Sequence, residues 1–167
     1  MPLMEDTLAR LDELKIQYTL DRHPAVYTIE ELDALDLPHK DCICKNLFLR
    51  NAKGDAHYLV VLPGHKRADL QVLREQLGST KLSFASEDRL MSHLGLTKGS
   101  VSPLGVLNNA GHDVVVALDR ALAEMPVLGV HPNDNTATVW LSSGELLRVL
   151  ESCGNPITYV ELPGGQG

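Results

Sequence analysis

The chain has 167 residues, with 15 basic and 22 acidic side chains and a formal net charge of −7. That length suits one compact domain, and 44% apolar with 22% charged residues is globular rather than disordered composition. No run approaches the roughly 18 consecutive apolar residues of a membrane-spanning helix, and the acidic balance excludes a protein that coats nucleic acid by charge alone.

The opening Met1-Pro2-Leu3-Met4-Glu5-Asp6 has neither the basic region nor the apolar run of a secretory signal, so a cytoplasmic location is expected. Leu8, Leu11 and Leu14 share one stripe, which predicts an amphipathic helix over 4–15. Gln17–Leu20 is a short strand candidate. Thr28 followed by Glu31 forms a capping box for a short helix over 29–35, stopped by Pro38. Cys42–Arg50 and His57–Leu62 are apolar, alternating runs around the turn Asn51-Ala52-Lys53-Gly54-Asp55, the clearest hairpin in the chain. Asp69 caps a helix that Gly78 ends near Leu77. Lys81–Phe84 is a short strand, Ser86 caps a helix over 87–93, and Gly95 stops it. Residues 97–105 form a Gly/Ser/Pro loop. Asp113–Leu118 is continuously apolar and so central to a sheet. Val127–Val130 and Thr136–Leu141 are further strands. Ser142 or Ser143 caps a helix through Leu150, and Ile157–Val160 is the last strand. Strands and helices mix without regular βαβ alternation and without internal repeats. The expected fold is therefore α/β, one domain over 1–163 with a mixed, curved β-sheet surrounded by helices, and a frayed tail over 164–167.

Charge is unevenly placed. Residues 1–36 hold three basic and nine acidic side chains, residues 82–167 four and nine, but residues 37–81 hold eight basic and four acidic. The central window, net +4, is the one place a polyanion is welcome. Cys42, Cys44 and Cys153 lack the spacing of a zinc site and read as free, partly buried thiols. The seven histidines form no H-x-x-x-H or H-E-x-x-H pair, so neither a metal nor a cofactor is expected.

Three segments could build a site. In Cys44-Lys45-Asn46-Leu47-Phe48-Leu49, alternation sends Lys45 and Leu47 to one face and Asn46 and Phe48 to the other. A lysine inside an apolar strand either lies on an exposed edge or reaches an anion. In Lys98-Gly99-Ser100-Val101-Ser102-Pro103-Leu104-Gly105, glycines flank a Ser-x-Ser-Pro turn and allow close backbone approach to a ligand. A nucleophilic serine there lacks an oriented base. In Gly129-Val130-His131-Pro132, a sharply shaped loop follows a strand, where sites collect.

Together with His23-Pro24-Ala25-Val26-Tyr27-Thr28, these segments span nearly the whole chain. In that order they resemble the YbaK/prolyl-tRNA-synthetase-associated editing-domain superfamily, and within it the free-standing ProX or PrdX-like group that deacylates alanyl-tRNA(Pro). The resemblance implies a mixed-sheet editing fold, hydrolysis of a mischarged tRNA, and no cofactor. It implies that Lys45 holds phosphate of the terminal adenosine and that Asn46 is the neighbouring polar residue of the pocket. Gly129, His131 and Pro132 would shape the pocket for the aminoacyl group, His131 mainly as a loop-shaping residue and less as a general base. Thr28, Gly99, Ser100 and Ser102 complete the expected substrate-binding set, with glycine-loop N–H groups on the carbonyl oxygen. The implied partners are the acceptor end of a tRNA, tRNA(Pro) in particular, and prolyl-tRNA synthetase, with no membrane. Two alternatives stay open: deacylation of cysteinyl-tRNA(Pro) or another small aminoacyl-tRNA, and a non-catalytic module that binds tRNA or a synthetase.

Overall fold

The run His57-Tyr58-Leu59-Val60-Val61-Leu62-Pro63 has no polar face, and the fold gives it none to expose. The computed structural model describes residues 3–25, 31, 34, 35, 37 and 40–163. In it this run is a strand at the centre of a five-stranded sheet. With β1 at Thr19–Arg22, β2 at Cys44–Arg50, β3 at His57–Pro63, β4 at Ser83–Phe84 and β5 at Val115–Asp119, and with β8 at Ile157–Val160, the sheet order is β4-β2-β3-β5-β8. The β2–β3 hairpin is antiparallel and β3–β5–β8 are parallel. Leu59 and Val61 enter one apolar cluster, and Val60 and Leu62 enter another on the opposite face, as the period of two requires.

Helices cover both faces. α1 (Leu3–Glu13), α3 (Glu87–Leu94) and α4 (Ser143–Cys153) bury Leu11, Leu90, Leu94, Leu146 and Leu150 in the larger cluster. α2 (Leu70–Leu77) places Leu73 in the smaller one. The caps fall where the side chains demand. Asp69 accepts from the backbone of Gln71 and Val72, Ser86 from Arg89, and Ser142 from Glu145. Gly78 and Gly95 end α2 and α3 in the left-handed region. The predicted helix over 29–35, with its Thr28 cap, falls outside the continuously described residues, and residues 164–167 lie outside them.

The mixed α/β architecture is as expected, but the sheet is divided. β1, β6 (Leu128–Val130) and β7 (Ala137–Leu141) form a separate antiparallel sheet, ordered β1-β7-β6. β1 runs two residues beyond the expected Gln17–Leu20 because β7 sets its register, pairing Asp21 with Thr138 and Arg22 with Ala137. The Asp21 carboxylate also accepts from Trp140 Nε1 at 2.6 Å. Ile43 joins the two sheets through a parallel bridge to Gly129. Two glycines clasp Ile43. A Cβ on Gly64 would stand 2.6 Å from the Ile43 carbonyl oxygen, and one on Gly129 2.6 Å from the Trp140 ring and 3.2 Å from Ile43 Cγ1. The Gly64 N–H donates to that same carbonyl.

Two buried polar groups hold the larger sheet. Lys66, just past β3, points its ammonium inward onto both Asp119 oxygens at 3.1 and 3.0 Å and onto the Leu162 carbonyl at 2.9 Å. Three donors meet three acceptors, as a buried ammonium requires. At the other end of β3, His57 stacks on Phe48 at 5.4 Å, lies 4.0 Å from the His93 ring, and has its Nε2 3.0 Å from Arg89 Nη1. Since a guanidinium only donates, Nε2 is the acceptor and His57 is neutral there. Burial first, then the charges of His93 and Arg89, push its pKa from 6.5 to about 4.

Two outcomes follow. Lys66→Ala strands the Asp119 carboxylate in the interior and should lower stability by about 3–5 kcal/mol, read from urea midpoints at constant slope, whereas Asp119→Asn with Lys66→Met restores part of it. For His57 the unfolded chain binds the proton more readily than the folded one, so its contribution is complete above about pH 6.5 and declines as pH falls toward 4. His57→Gln should flatten the urea midpoint between those pH values relative to wild type.

Candidate functional site

β2 carries Lys45 and Asn46 on opposite faces. Lys45 is half-buried on the α2 side, and its Nζ donates to the Lys66 carbonyl at 2.6 Å. An ammonium has three N–H donors, so this bond fixes the group and leaves two for an anion. Asn46 faces the other way. Its side-chain oxygen is buried and has no hydrogen-bond partner. The backbone there faces the β4 side. The Ala85 N–H donates to the Phe48 carbonyl, so Phe48 turns its polar groups toward β4. By alternation Asn46 turns its N–H and C=O the same way, past the end of the two-residue β4.

A cavity of about 560 Å³ lies against this open edge, bordered by Asn46, Phe48, Phe84, Leu90, Lys98 and Val101. It therefore brings the Lys45-Asn46 strand together with the Gly99–Gly105 segment. That segment, expected as an open loop, folds into two short 3-10 turns, Lys98–Ser100 and Pro103–Asn108. Ser102 caps the second by accepting from the Leu104 N–H, with Pro103 following. Ser100 is buried in the first turn and Gly99 half-buried. Gly105 makes room for Leu96, 2.7 Å from where its Cβ would stand.

The third segment is tied to the second. Ser102 is fully buried, and its hydroxyl donates to the His131 carbonyl at 2.5 Å. The His131 Nδ1 lies 3.0 Å from the Ala137 carbonyl. A carbonyl only accepts, so Nδ1 carries the proton and Nε2 is the acceptor nitrogen. Burial lowers the His131 pKa, only partly offset by that carbonyl, so the ring is neutral near pH 7. Pro132 is buried, and Asn133 takes a positive φ of 61° while its amide donates to Thr7 and to the Leu104 carbonyl. His23 stands 6.4 Å from His131, its Nε2 accepting from Thr138. Gly129 serves the sheet junction, packed against Trp140 and Ile43. Thr28 lies outside the described residues.

The thiols offer no nucleophile. All three cysteines are free and buried, and burial with the neighbouring Cys42 pushes the Cys44 thiol up to about 12. Ser102 spends its proton on a backbone carbonyl. Among the described residues no three His, Cys, Asp or Glu side chains gather as a metal site. What remains is a polar strand edge, an anchored ammonium and a braced histidine loop, which can position an already activated ester and a water. Sequence reasoning missed Lys66, which holds Lys45 through its carbonyl. The signal available was a lysine directly after the Pro63-Gly64 break and an Asp closing a continuously apolar strand.

The comparisons with known proteins place this arrangement in a family. The family model of the aminoacyl-tRNA editing domain matches residues 23–149. The chain is 51% identical over 162 residues, 97% of its own length and 99% of the other, to the prolyl-tRNA editing protein ProX of Acetoanaerobium sticklandii. It is 33% identical over 147 residues, 84% of this chain and 77% of the other, to the prolyl-tRNA synthetase associated domain-containing protein 1 of Danio rerio. A solved structure described as a candidate trans-editing enzyme for prolyl tRNA synthetase shares the fold, with a TM-score of 0.74 at 21% identity over 98% of this chain and 99% of that one. The chain belongs to the aminoacyl-tRNA editing-domain family and is an editing deacylase.

Ser102→Ala leaves the His131 carbonyl and the Leu104 N–H without their shared partner. It should cost about 1–3 kcal/mol of stability, measured by thermal or urea unfolding. Ser102→Thr, which keeps the hydroxyl, should lose less, and an unchanged Ser102→Ala midpoint would show that the two segments are not braced by this bond.

Proposed function

We propose that this chain edits in trans, clearing alanine from mischarged tRNA(Pro), with residues 1–163 as one editing domain. The observation that carries the reading is the 51% identity to a prolyl-tRNA editing protein across 97% of this chain and 99% of that one. The substrate is an ester on the terminal ribose. Hydrolysis needs a placed water, a route for a proton and donors for the developing oxyanion, and a covalent nucleophile is not required.

In this reading Lys45 holds a phosphate of the terminal nucleotide with the two donors that the Lys66 carbonyl leaves over. Asn46 meets the aminoacyl-adenosine end from the open edge of β2. Gly129, His131 and Pro132 shape the pocket wall. His131 acts through its fixed loop, because Ser102 holds its carbonyl and Ala137 its ring. Gly99, Ser100 and Thr28 approach the substrate from the other two segments, and the vicinal ribose hydroxyl assists the proton transfer. Alanine is accepted and the larger proline is excluded by sterics, which can exceed the roughly 1–3 kcal/mol that one methylene supplies by binding. The acceptor end of tRNA(Pro) is the partner, and prolyl-tRNA synthetase is the protein from which the mischarged product comes.

Deacylation of alanyl-, cysteinyl- and prolyl-tRNA(Pro) by wild type and Lys45→Ala tests this. Alanyl-tRNA(Pro) should be cleared and prolyl-tRNA(Pro) spared. Loss of a hydrogen bond to a charged group, about 1.5–3 kcal/mol, should slow Lys45→Ala about 10- to 100-fold while the variant still unfolds cooperatively. Cysteinyl-tRNA(Pro) cleared faster than alanyl would reassign the substrate. Wild-type rates in Lys45→Ala would remove the phosphate anchor.

A further inference from the structure

The bond that fixes Lys45 also determines which side chain stands beside it. Lys45 Nζ lies 2.6 Å from the Lys66 carbonyl oxygen. That oxygen and the Cα of Arg67 belong to one planar peptide, about 2.8 Å apart. The Lys45 ammonium is therefore within about 5.4 Å of the Arg67 Cα, a span shorter than an extended arginine side chain. The peptide between Lys66 and Arg67 is itself held firmly. The Lys66 N–H closes the turn onto the Pro63 carbonyl at 3.0 Å, the Gly64 N–H donates to the Ile43 carbonyl at 3.1 Å, and the Lys66 ammonium is buried on Asp119.

Arg67 is exposed, and among the described residues its guanidinium has no hydrogen-bond or ion-pair partner. Arg50, Arg89 and Arg148, by contrast, are tied to carbonyl or carboxylate oxygens. The carboxylates near Arg67 are engaged elsewhere. Asp69 turns Oδ1 onto the Gln71 and Val72 N–H groups at the start of α2, and Asp119 is met by Lys66. The other exposed cations of the basic window stand apart. Lys53 lies in the turn at the far end of the β2–β3 hairpin, Lys81 precedes β4, which pairs with the Arg50 end of β2, and Arg74 is in the last turn of α2. Lys45 and Arg67 are thus two neighbouring cations without a carboxylate between them. An ammonium with two N–H groups to spare and a planar guanidinium fork suit an anion with two equivalent oxygens. In an aminoacyl-tRNA the amino acid's carboxylate is consumed in the ester, so the anions that remain are the phosphodiesters of the strand.

We infer that Arg67 is a substrate-binding residue that shares one phosphodiester with Lys45, its guanidinium on the two non-bridging oxygens and the Lys45 ammonium beside it. Arg67 then fixes where the end of the strand lies and contributes no group to the ester. The inference rests on the reading above that Lys45 holds a phosphate of the terminal nucleotide. It adds the second cation and the sharing of a single phosphate.

Binding of uncharged tRNA(Pro) to the full-length protein, followed by fluorescence anisotropy over a series of KCl concentrations, tests this in wild type, Lys45→Ala, Arg67→Ala and the double variant. Arg67→Ala should weaken binding about ten-fold and lower the salt slope by about one. Arg67→Lys, which keeps the charge and loses the fork, should fall between it and wild type. Because one phosphate serves both cations, the double variant should lose less than the product of the two single losses. In deacylation Arg67→Ala should raise KM about ten-fold at nearly unchanged kcat, and its urea midpoint should match wild type because the side chain is exposed. Wild-type affinity in Arg67→Ala beside a weakened Lys45→Ala would remove Arg67 and leave the Lys45 anchor. Losses that multiply in the double variant would put Arg67 on a different phosphate and overturn the shared site. Wild-type affinity in Lys45→Ala would remove the anchor and the shared site with it. If no ester of tRNA(Pro) is cleared, yet the two losses still overlap, the proposed reaction falls and the two-cation site stands.

Discussion

The Lys66–Asp119 pair is the constraint on which the rest of the site depends. Taking an ammonium and a carboxylate out of water is expensive, and the attraction between them compensates only when every donor and acceptor is met. Here the ammonium is saturated by Asp119 and the Leu162 carbonyl, and Asp119 Oδ1 also accepts from the Ala121 N–H. One pair thereby fixes the turn after β3, the end of β5, the 3-10 turn that follows, and the segment leaving β8. The same residue turns its carbonyl outward to Lys45. A buried charge thus positions a half-buried one. An apolar pair in its place could hold the sheet, but it would lack the directional hydrogen bonds that fix residue 66, and with it the carbonyl that orients Lys45.

The sheet junction supplies the second constraint. Ile43, one residue before β2, is held between Gly64 and Gly129, each so close that a Cβ would collide. That closeness lets the histidine loop, which leaves β6 after Val130, begin beside the start of the Lys45-Asn46 strand. Ser102 then ties the serine segment to the same loop from the other side. Three stretches remote in sequence are brought to one end of the molecule by two contacts that tolerate little displacement. The relative placement of these segments is therefore set largely by close contacts to backbone.

Local chemistry was legible in the sequence; pairings over distance were not. Asp69, Ser86 and Ser142 cap their helices as their positions suggested, because a cap involves only residues two or three apart. The hairpin was legible because alternation and the Asn51–Asp55 turn agree. The division into two sheets was not, since nothing local says that β7 pairs with β1 and β6 and leaves β5 to β3 and β8. Lys66 and Asp119 lie 53 residues apart, and Ser102 and His131 29 apart. No periodicity links such residues. Nothing in the spacing of His57 and His93 indicates that β3 and α3 set their rings 4.0 Å apart. The motifs single out three segments, and the structure supplies what the described residues in them touch. Gly129 faces the junction rather than open space, and the Ser102 hydroxyl is a brace.

Structure also changes what the basic window between residues 37 and 81 can mean. Lys66 is neutralised inside the molecule, and Arg50 turns its guanidinium onto the carbonyls of Asn51 and Ala52. Neither is presented to a polyanion. Lys53, Arg67, Arg74 and Lys81 remain exposed, Lys45 is half-buried, and Lys98 adds to them from outside the window. With a net charge of −7 over the whole chain, a long RNA helix would meet repulsion over most of the surface, and only a short strand could be gathered locally. An editing enzyme benefits from that balance. Broad charge-driven affinity would hold cognate and mischarged tRNA alike and slow release of both, whereas a few contacts at the end of the strand leave the decision to the pocket, where the aminoacyl group is tested. In the function proposed above, the acidity that argues against nucleic-acid binding in bulk would confine binding to the end of the strand.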